Sequence, residues 1–333
     1  MRAGIVRHDV PWGALGPAFL RPLLFAIQSR WAVCSAGYNV LGAFGVQSPP
    51  DGVFWVQSVH RAWIEISAKR RSFSGRLKQR CNPFHAVALG LERHYFGGKR
   101  YRKLIALTED VRADLMRIYG VPAEHIVVIP NGFSREEFNL ARCRLLRPEM
   151  RRKYGFSDSD RVIAFVANEM ERKGFIPLLQ AVALLGDPTV RVLAAGRLDP
   201  RACATEIARL GLTRRVTFTG PTNDVAASCY SAADLFALPT SYEAWGLVIV
   251  EAMACGLPAL TSRLAGAAIA IEEGSTGRLL DDPRDIEEIA KELQPLLNGE
   301  HSSRETIEKS VGQYAWDRIL LDYERILIDS QQG

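Results

Sequence analysis

Beyond Arg161, short apolar runs alternate with amphipathic stretches, the pattern that βα units of a parallel sheet leave in a sequence. Val162–Ala167, Val190–Ala195, Val216–Thr219, Leu235–Pro239 and Pro258–Thr261 are short, apolar and bounded by Gly, Pro or polar residues, which predicts strands buried on both faces. Between them, Phe175–Leu185, Arg201–Leu210, Asp224–Ala232 and Gly246–Ala254 carry apolar residues at helical spacing. The sum is a doubly wound α/β domain whose ligand sits beyond the C-terminal ends of its strands.

The first half is less regular. Asp51–Gln57, Lys103–Leu107 and His125–Ile129 predict further strands, with Glu109–Tyr119 as a helix between the last two. Pro130-Asn131-Gly132 closes this region, and Phe138–Pro148 reads as a connector. A last helix is predicted over Tyr314–Ile328, where Trp316, Ile319, Leu320, Tyr323, Ile326 and Leu327 recur at helical spacing. A chain of 333 residues exceeds the usual size of one hydrophobic core, so two α/β domains are expected.

Composition bounds the function. With 47% hydrophobic and 24% charged residues the chain is globular rather than disordered. The apolar stretch around Ala18–Ile27 is broken by Arg21 and Pro22, so neither a membrane span nor an export signal is expected. Six widely spaced cysteines, at 34, 81, 143, 203, 229 and 255, form no paired metal-ligand pattern and predict reduced thiols in a cytoplasmic protein. The net charge of +5 is unevenly placed: between Arg61 and Lys103 twelve Lys and Arg face only Glu65 and Glu92, with aromatic residues interleaved. Such a segment suits an anionic membrane surface as well as an ordinary solvated helical face. No nucleic-acid recognition motif accompanies the charge.

The most informative stretch runs from Leu238 to Pro258. A strand ends near Pro239, a short loop carries Glu243, and a helix begins near Gly246, so the free backbone N–H groups of the helix's first turn converge on the loop, an arrangement that attracts an anion. Glu243 and Glu251 can both face the strand-end crevice, where carboxylates accept paired hydrogen bonds from vicinal hydroxyls. N–H donors for phosphate beside carboxylates for hydroxyls suit a nucleotide sugar. After the strand Val162–Ala167, Arg172 and Lys173 place two cations where charge builds on a leaving diphosphate.

Glu243 to Glu251, with seven residues between them, and the flanking Tyr230–Pro239 resemble the signature of the GT4 family of retaining glycosyltransferases. That resemblance implies the GT-B fold, two Rossmann-like domains with parallel sheets facing a cleft: an acceptor-side domain over residues 1–145, completed by a C-terminal helix over 313–330, and a nucleotide-sugar domain over 146–312. By resemblance Glu243 contacts the donor sugar, Glu251 the ribose hydroxyls, and the Ala244–Leu247 backbone the sugar and diphosphate. Arg172 and Lys173 match the basic pair that binds the diphosphate, in the form where Arg directly precedes Lys-Gly, as in lipopolysaccharide core glucosyltransferases; Asn168 and Glu169 stand where the commoner pattern has an arginine. Asn168 and Arg197 join the expected donor-binding set. His60, after an N-domain strand, matches a histidine that bonds the donor sugar. The family's first strand and Gly-rich loop have no counterpart, since the chain starts near the family's third strand.

The implied function is transfer of a hexose from a nucleotide-diphosphate sugar to a saccharide or lipid-linked acceptor with retention, the departing phosphate oxygen taking the acceptor's proton. No metal or cofactor is expected, because Arg172, Lys173 and the helix N-terminus carry the diphosphate charge; Asp158-Ser-Asp160 lies ahead of a strand, away from the ligand end, and reads as turn chemistry. The expected partners are the nucleotide sugar, the glycan or lipid-linked acceptor and, through residues 61–103, the anionic inner face of a membrane. His85, His94 and His125 carry no partner pattern that suggests metal binding or a catalytic triad. The alternatives are a non-catalytic nucleotide-sugar-binding protein and a GT-B nucleotide-sugar epimerase.

Overall fold

The computed structural model describes residues 17, 19–34, 40–45, 50–70 and 72–332, the side chains at 30–34, 69, 70, 331 and 332 excepted. The expectation for the residues ahead of Pro17 lies outside them. The chain divides into two units, one made of the residues up to Pro130 with Leu320–Gly333, the other of Asn131–Ile319.

In the first unit four parallel strands, β1 (Gly42–Phe44), β2 (Val53–Val56), β3 (Lys103–Ala106) and β4 (Ile126–Val128), lie side by side in chain order. Helices α1 (Arg21–Cys34), α2 (His60–Arg70), α3 (Phe73–Arg80), α4 (Pro83–Glu92) and α5 (Glu109–Tyr119) accompany them. The start and stop of α5 are written in its sequence: Thr108 Oγ1 accepts the Val111 N–H, Glu109 and Asp110 complement the dipole, and Gly120 ends it at φ 62°. Phe54, Leu104, Leu115, Tyr95 and Phe96 form the core, with Tyr95 edge-on to Phe54 at 5.6 Å. β1 was not anticipated: a three-residue strand carries too little pattern.

The second unit holds six parallel strands: β5 (Arg161–Val166), β6 (Val190–Ala195), β7 (Val216–Gly220), β8 (Leu235–Leu238), β9 (Ala259–Ser262) and β10 (Gly277–Leu280), in the order β10-β9-β8-β5-β6-β7. Helices α6 (Leu140–Tyr154), α7 (Phe175–Leu184), α8 (Pro200–Arg209), α9 (Val225–Ser228), α10 (Leu247–Ala254), α11 (Ile286–Leu297) and α12 (Arg304–Ser310) belong to it. A last helix, α13 (Trp316–Gln332), begins here and from Leu320 onward belongs to the first unit, where Tyr323 packs edge-on against Trp55 and bonds the Pro130 carbonyl at 3.2 Å. The order has one feature that positions a site. From β5 the chain runs outward through β6 and β7, then returns to β8 on the other flank of β5 and runs outward again, so the switch point lies between β5 and β8.

Two expectations fail locally. Phe138–Pro148 is no connector: Asn139 caps α6, which runs through Pro148, and the expected domain boundary at 145/146 falls inside it. The proline removes one N–H, but Arg147 and Arg151 tie this helix to Asp234 and to the carbonyls of Ala232 and Ala233, which outweighs that loss. Asp224–Ala232 is not one helix; α9 stops at Ser228, Cys229 leaves the helical region at φ −132°, and a 3₁₀ turn follows.

Candidate donor site

The loops after β5 and β8 meet at the switch point, and two glycines make that possible. Gly174 has φ +77°, and a Cβ there would lie 2.0 Å from the Pro239 carbonyl oxygen, so the loop after β5 passes the end of β8 at a distance only glycine tolerates. Gly246, at φ +100°, turns the chain from the Glu243 loop into α10, and a Cβ would press on Ile249 and Glu243 at about 3.0 Å. Backbone bonds fix the rest: the Ser241 N–H donates to the Arg172 carbonyl at 2.8 Å, and Glu243 exchanges bonds with Leu264 and Gly266 at 3.1 and 2.9 Å.

This scaffold brings three of the expected residues into contact. The Lys173 ammonium and the Glu243 carboxylate form a largely buried ion pair, and the Arg172 guanidinium reaches the same carboxylate oxygen at 3.4 Å. Arg172 also bonds the Tyr242 carbonyl and pairs with Glu169. Burial, and then the charge of Arg172, pull the Lys173 ammonium down to about 8. A cavity of about 550 Å³ opens beside them, lined by Asn168, Glu169, Arg172 and Lys173 after β5, Gly196 after β6, Thr222 after β7 and Val248 in the first turn of α10. Strand-end residues from three consecutive βα units thus share one wall.

The remaining expected residues lie as follows. Ala244, Trp245, Gly246 and Leu247 form the turn into α10, with Gly246 as its N-cap residue, and Val248 of the first turn lines the cavity. Trp245 turns its ring inward, edge-on to Tyr314 at 5.4 Å, and holds Ala267 N–H on its carbonyl at 2.7 Å. Neither Glu243 nor Glu251 lines the cavity; Glu243 reaches it through Lys173 and Arg172. Glu251 has no hydrogen-bond or ion-pair partner among the described residues, and burial, helped by the charge of Glu137, pushes its carboxyl up to about 7. Asn168 Oδ1 accepts the Arg197 N–H at 3.1 Å, joining the loops after β5 and β6, while the Arg197 side chain is exposed. His60 belongs to the first unit, as the first residue of α2, and its Nε2 lies 3.0 Å from His85 Nδ1.

Glu169, Gly196, Thr222, Val225 and Glu137 were not among the expected site residues. The first four follow strand ends, so the strand-end rule alone could have listed them; Glu137 has no local signal. Asp160 is engaged by Ser157 and Arg191 in the turn before β5. Cys81, Cys143, Cys203, Cys229 and Cys255 are free thiols. The described residues hold no cluster of three or more His, Cys, Asp or Glu suited to a metal, and no helix long and apolar enough to cross a membrane.

Family comparison accounts for both halves of the chain. Residues 147–312 match the family described as Glycosyl transferases group 1, and residues 5–137 match Glycosyltransferase Family 4. The chain belongs to the GT4 glycosyltransferases. Relatives of this GT4 chain include D-inositol 3-phosphate glycosyltransferases: that of Mycolicibacterium smegmatis is 31% identical over 240 residues, 68% of this chain and 54% of the relative. That of Corynebacterium urealyticum is 33% identical over 228 residues, covering 64% and 53%. The chain spans about half the length of these curated relatives. Among solved structures, WaaG, a glycosyltransferase involved in lipopolysaccharide biosynthesis, superposes with a TM-score of 0.76 at 24% identity over 94% of this chain and 84% of WaaG. Anabaena Alr3699/HepE, solved with UDP and glucose, gives 0.67 at 21% identity over 92% and 74%. The fold of this GT4 member is therefore GT-B-like, two α/β units each built on a parallel sheet.

Proposed function

We propose that this chain transfers a hexose from a nucleotide-diphosphate sugar to a saccharide or lipid-linked acceptor with retention and without a metal. The convergence of Lys173, Arg172 and Glu243 at the switch point, beside a cavity of about 550 Å³, carries this reading. That volume falls within the usual range of small-ligand pockets. Lys173, Arg172 and the first-turn N–H groups of α10 receive the diphosphate; Glu243 and the Ala244–Leu247 backbone hold the sugar; Glu251 accepts the ribose hydroxyls, with Asn168 and Arg197 completing the donor set. His60 bonds a hydroxyl of the donor sugar. The bond from the anomeric carbon to the phosphate oxygen breaks as the bond to the acceptor oxygen forms, and the acceptor proton passes to the departing phosphate, whose charge the two cations offset.

A thermal-shift screen against UDP, GDP, ADP and their hexoses tests the donor site, since a ligand of the folded state raises its stability by mass action. One nucleotide series is expected to stabilise the protein, with the shift lost in Lys173→Ala and Glu251→Ala; a shift kept by both variants sinks the assignment. Turnover unchanged by EDTA and an α-anomeric product from an α-linked donor are the accompanying expectations.

We infer that α3 carries the proposed membrane contact. Within residues 61–103, Tyr95, Phe96 and Tyr101 are core residues, whereas Phe73 is 84% and Leu77 55% exposed on a helix that also presents Lys78 and Arg80. Apolar and basic residues on one short exposed helix suit an anionic leaflet, which fits an acceptor carried by a lipid. Sedimentation with vesicles of 30 mol% anionic lipid is expected to capture the protein at low salt and release it as salt rises, and Phe73→Ser with Leu77→Ser to abolish capture. Capture insensitive to salt and to anionic lipid overturns the reading.

A further inference from the structure

The first unit surrounds His60 with groups that the reading above leaves unused. Glu92, the last residue of α4, is 4% exposed, and its carboxylate is fully engaged at the start of α2. Oε1 accepts the His60 N–H at 2.6 Å, and Oε2 accepts the Arg61 N–H at 3.1 Å and the Tyr119 hydroxyl at 2.7 Å. This is the work of an N-cap, done by a side chain 32 residues away. A serine or aspartate at position 59 would accept the Arg61 or Ala62 N–H locally, as Asp285 accepts those of Glu287 and Glu288 at the start of α11, but Val59 stands there, buried, and a carboxylate comes from the interior instead. Burying a carboxylate is costly, and burial raises its pKa, so an arrangement that served helix stability alone would have a cheaper local form.

The ring of His60 is held as firmly as its backbone. Its Nε2 lies 3.0 Å from His85 Nδ1, so one nitrogen donates and the other accepts. Trp63 stacks on it at 5.5 Å with 19° between planes, and Phe84 meets it edge-on at 5.8 Å. With Nε2 committed, Nδ1 has no partner among the described residues. Burial and the neighbouring His85 both favour the neutral ring.

We infer that Glu92 and His85 are positioning residues for His60: Glu92 fixes the start of α2 and thereby the root of the His60 side chain, and His85 fixes its ring orientation and tautomer, leaving Nδ1 for a sugar hydroxyl. The inference rests on the proposed contact between His60 and the donor sugar. It is a second layer to that contact, since neither residue needs to touch the donor.

Two measurements test it on the full chain. In long-range ¹H–¹⁵N spectra, the His60 ring is expected to show one neutral tautomer in the wild type and a mixture in His85→Phe, with His85→Asn, whose amide can replace Nδ1, restoring the single form; a His60 tautomer indifferent to position 85 overturns the role of His85. Release of nucleotide from UDP-, GDP- and ADP-hexoses then reads a double-mutant cycle. Glu92→Gln is expected to lower kcat between about 10-fold and 10²-fold in the wild type and less than about twofold in His60→Ala, because a misplaced group costs only while that group acts. An equal loss in both backgrounds overturns the role of Glu92, whereas a His60→Ala enzyme as active as the wild type removes the underlying reading of His60 and the inference with it. If Glu92→Gln does not fold, Tyr119→Phe, which removes one donor and leaves the carboxylate, takes its place in the cycle with the same two outcomes.

Discussion

Lys173, in the loop after β5, and Glu243, in the loop after β8, form an ion pair at the point where the strand order of the second sheet reverses. Both side chains are largely withdrawn from water, so removing Lys173 leaves the Glu243 carboxylate only its 3.4 Å contact with Arg172, and removing Glu243 leaves a largely buried ammonium without its ion-pair partner. Lys173→Ala is therefore expected to act twice, losing the donor's stabilising effect and lowering turnover by about 10² to 10³-fold. Glu243→Gln, which removes the charge but keeps the shape, is expected to retain nucleoside diphosphate binding and to lose turnover. Calorimetric titration with the nucleotide alone and with the nucleotide sugar separates the two.

Glu169 competes for Arg172. It pairs with the guanidinium, so a diphosphate bound by Arg172 as proposed must share or displace it. Glu169→Gln is expected to tighten nucleotide binding by a few-fold, as for loss of a half-exposed ion pair worth under about 1 kcal/mol. Titration at two salt concentrations checks this: the gain should shrink as salt rises, and weaker binding in the variant would show that Glu169 contacts the ligand instead.

Glu251 makes stability depend on pH. Its carboxyl is pushed up to about 7 from an ordinary value of 4.5, first by burial and then by Glu137. A carboxyl that keeps its proton longer when folded contributes stability that is present below pH 4.5 and is lost as pH rises through 7, on the order of 3 kcal/mol. Glu251→Gln, the shape of the protonated form, is expected to match the wild-type melting temperature near pH 4.5 and to exceed it at pH 8. On the role proposed for Glu251, the ionised carboxylate accepts ribose hydroxyls more strongly than the protonated form, so nucleotide binding to the wild type is expected to strengthen between pH 6 and 7.5, and Glu137→Gln to move that rise to lower pH.

Most of the second unit could be read from the sequence because its central strands β5, β6, β8 and β9 are buried on both faces: Val190–Ala195 was bounded to the residue, and Leu235–Pro239 to within one. The meeting of Arg172, Lys173 and Glu243 at the candidate site was legible for the same reason, since residues after such strands fall at one edge whatever the loops do. β10 was missed because Gly277 and Arg278 interrupt its apolar run, and α6 because a proline inside a helix outweighs, in sequence, the tertiary bonds of Arg147 and Arg151 that no local pattern announces. Glu92 at the start of α2 and His85 beside His60 were invisible for a different reason. Each is a contact across 25 or more residues, and a lone glutamate or histidine carries no sign of what it will meet.

Trp245 offers a last test of what holds the donor loop. Its ring is 2% exposed and packs against Tyr314, yet its indole Nε1 has no acceptor among the described residues. A buried N–H without a partner costs about 1–3 kcal/mol, and phenylalanine removes it while keeping an aromatic face toward Tyr314. The smaller ring gives up packing of similar size, so the two terms nearly cancel. Trp245→Phe is expected to change stability by less than about 1 kcal/mol and to leave nucleotide binding intact, whereas Trp245→Ala should lose about 3–5 kcal/mol and the binding with it. Urea denaturation of both variants decides the matter. A Trp245→Phe loss above about 2 kcal/mol would mean that the indole N–H is bonded in solution, by an ordered water, and that the polar end of this side chain, as well as its bulk, holds the turn between Glu243 and Gly246.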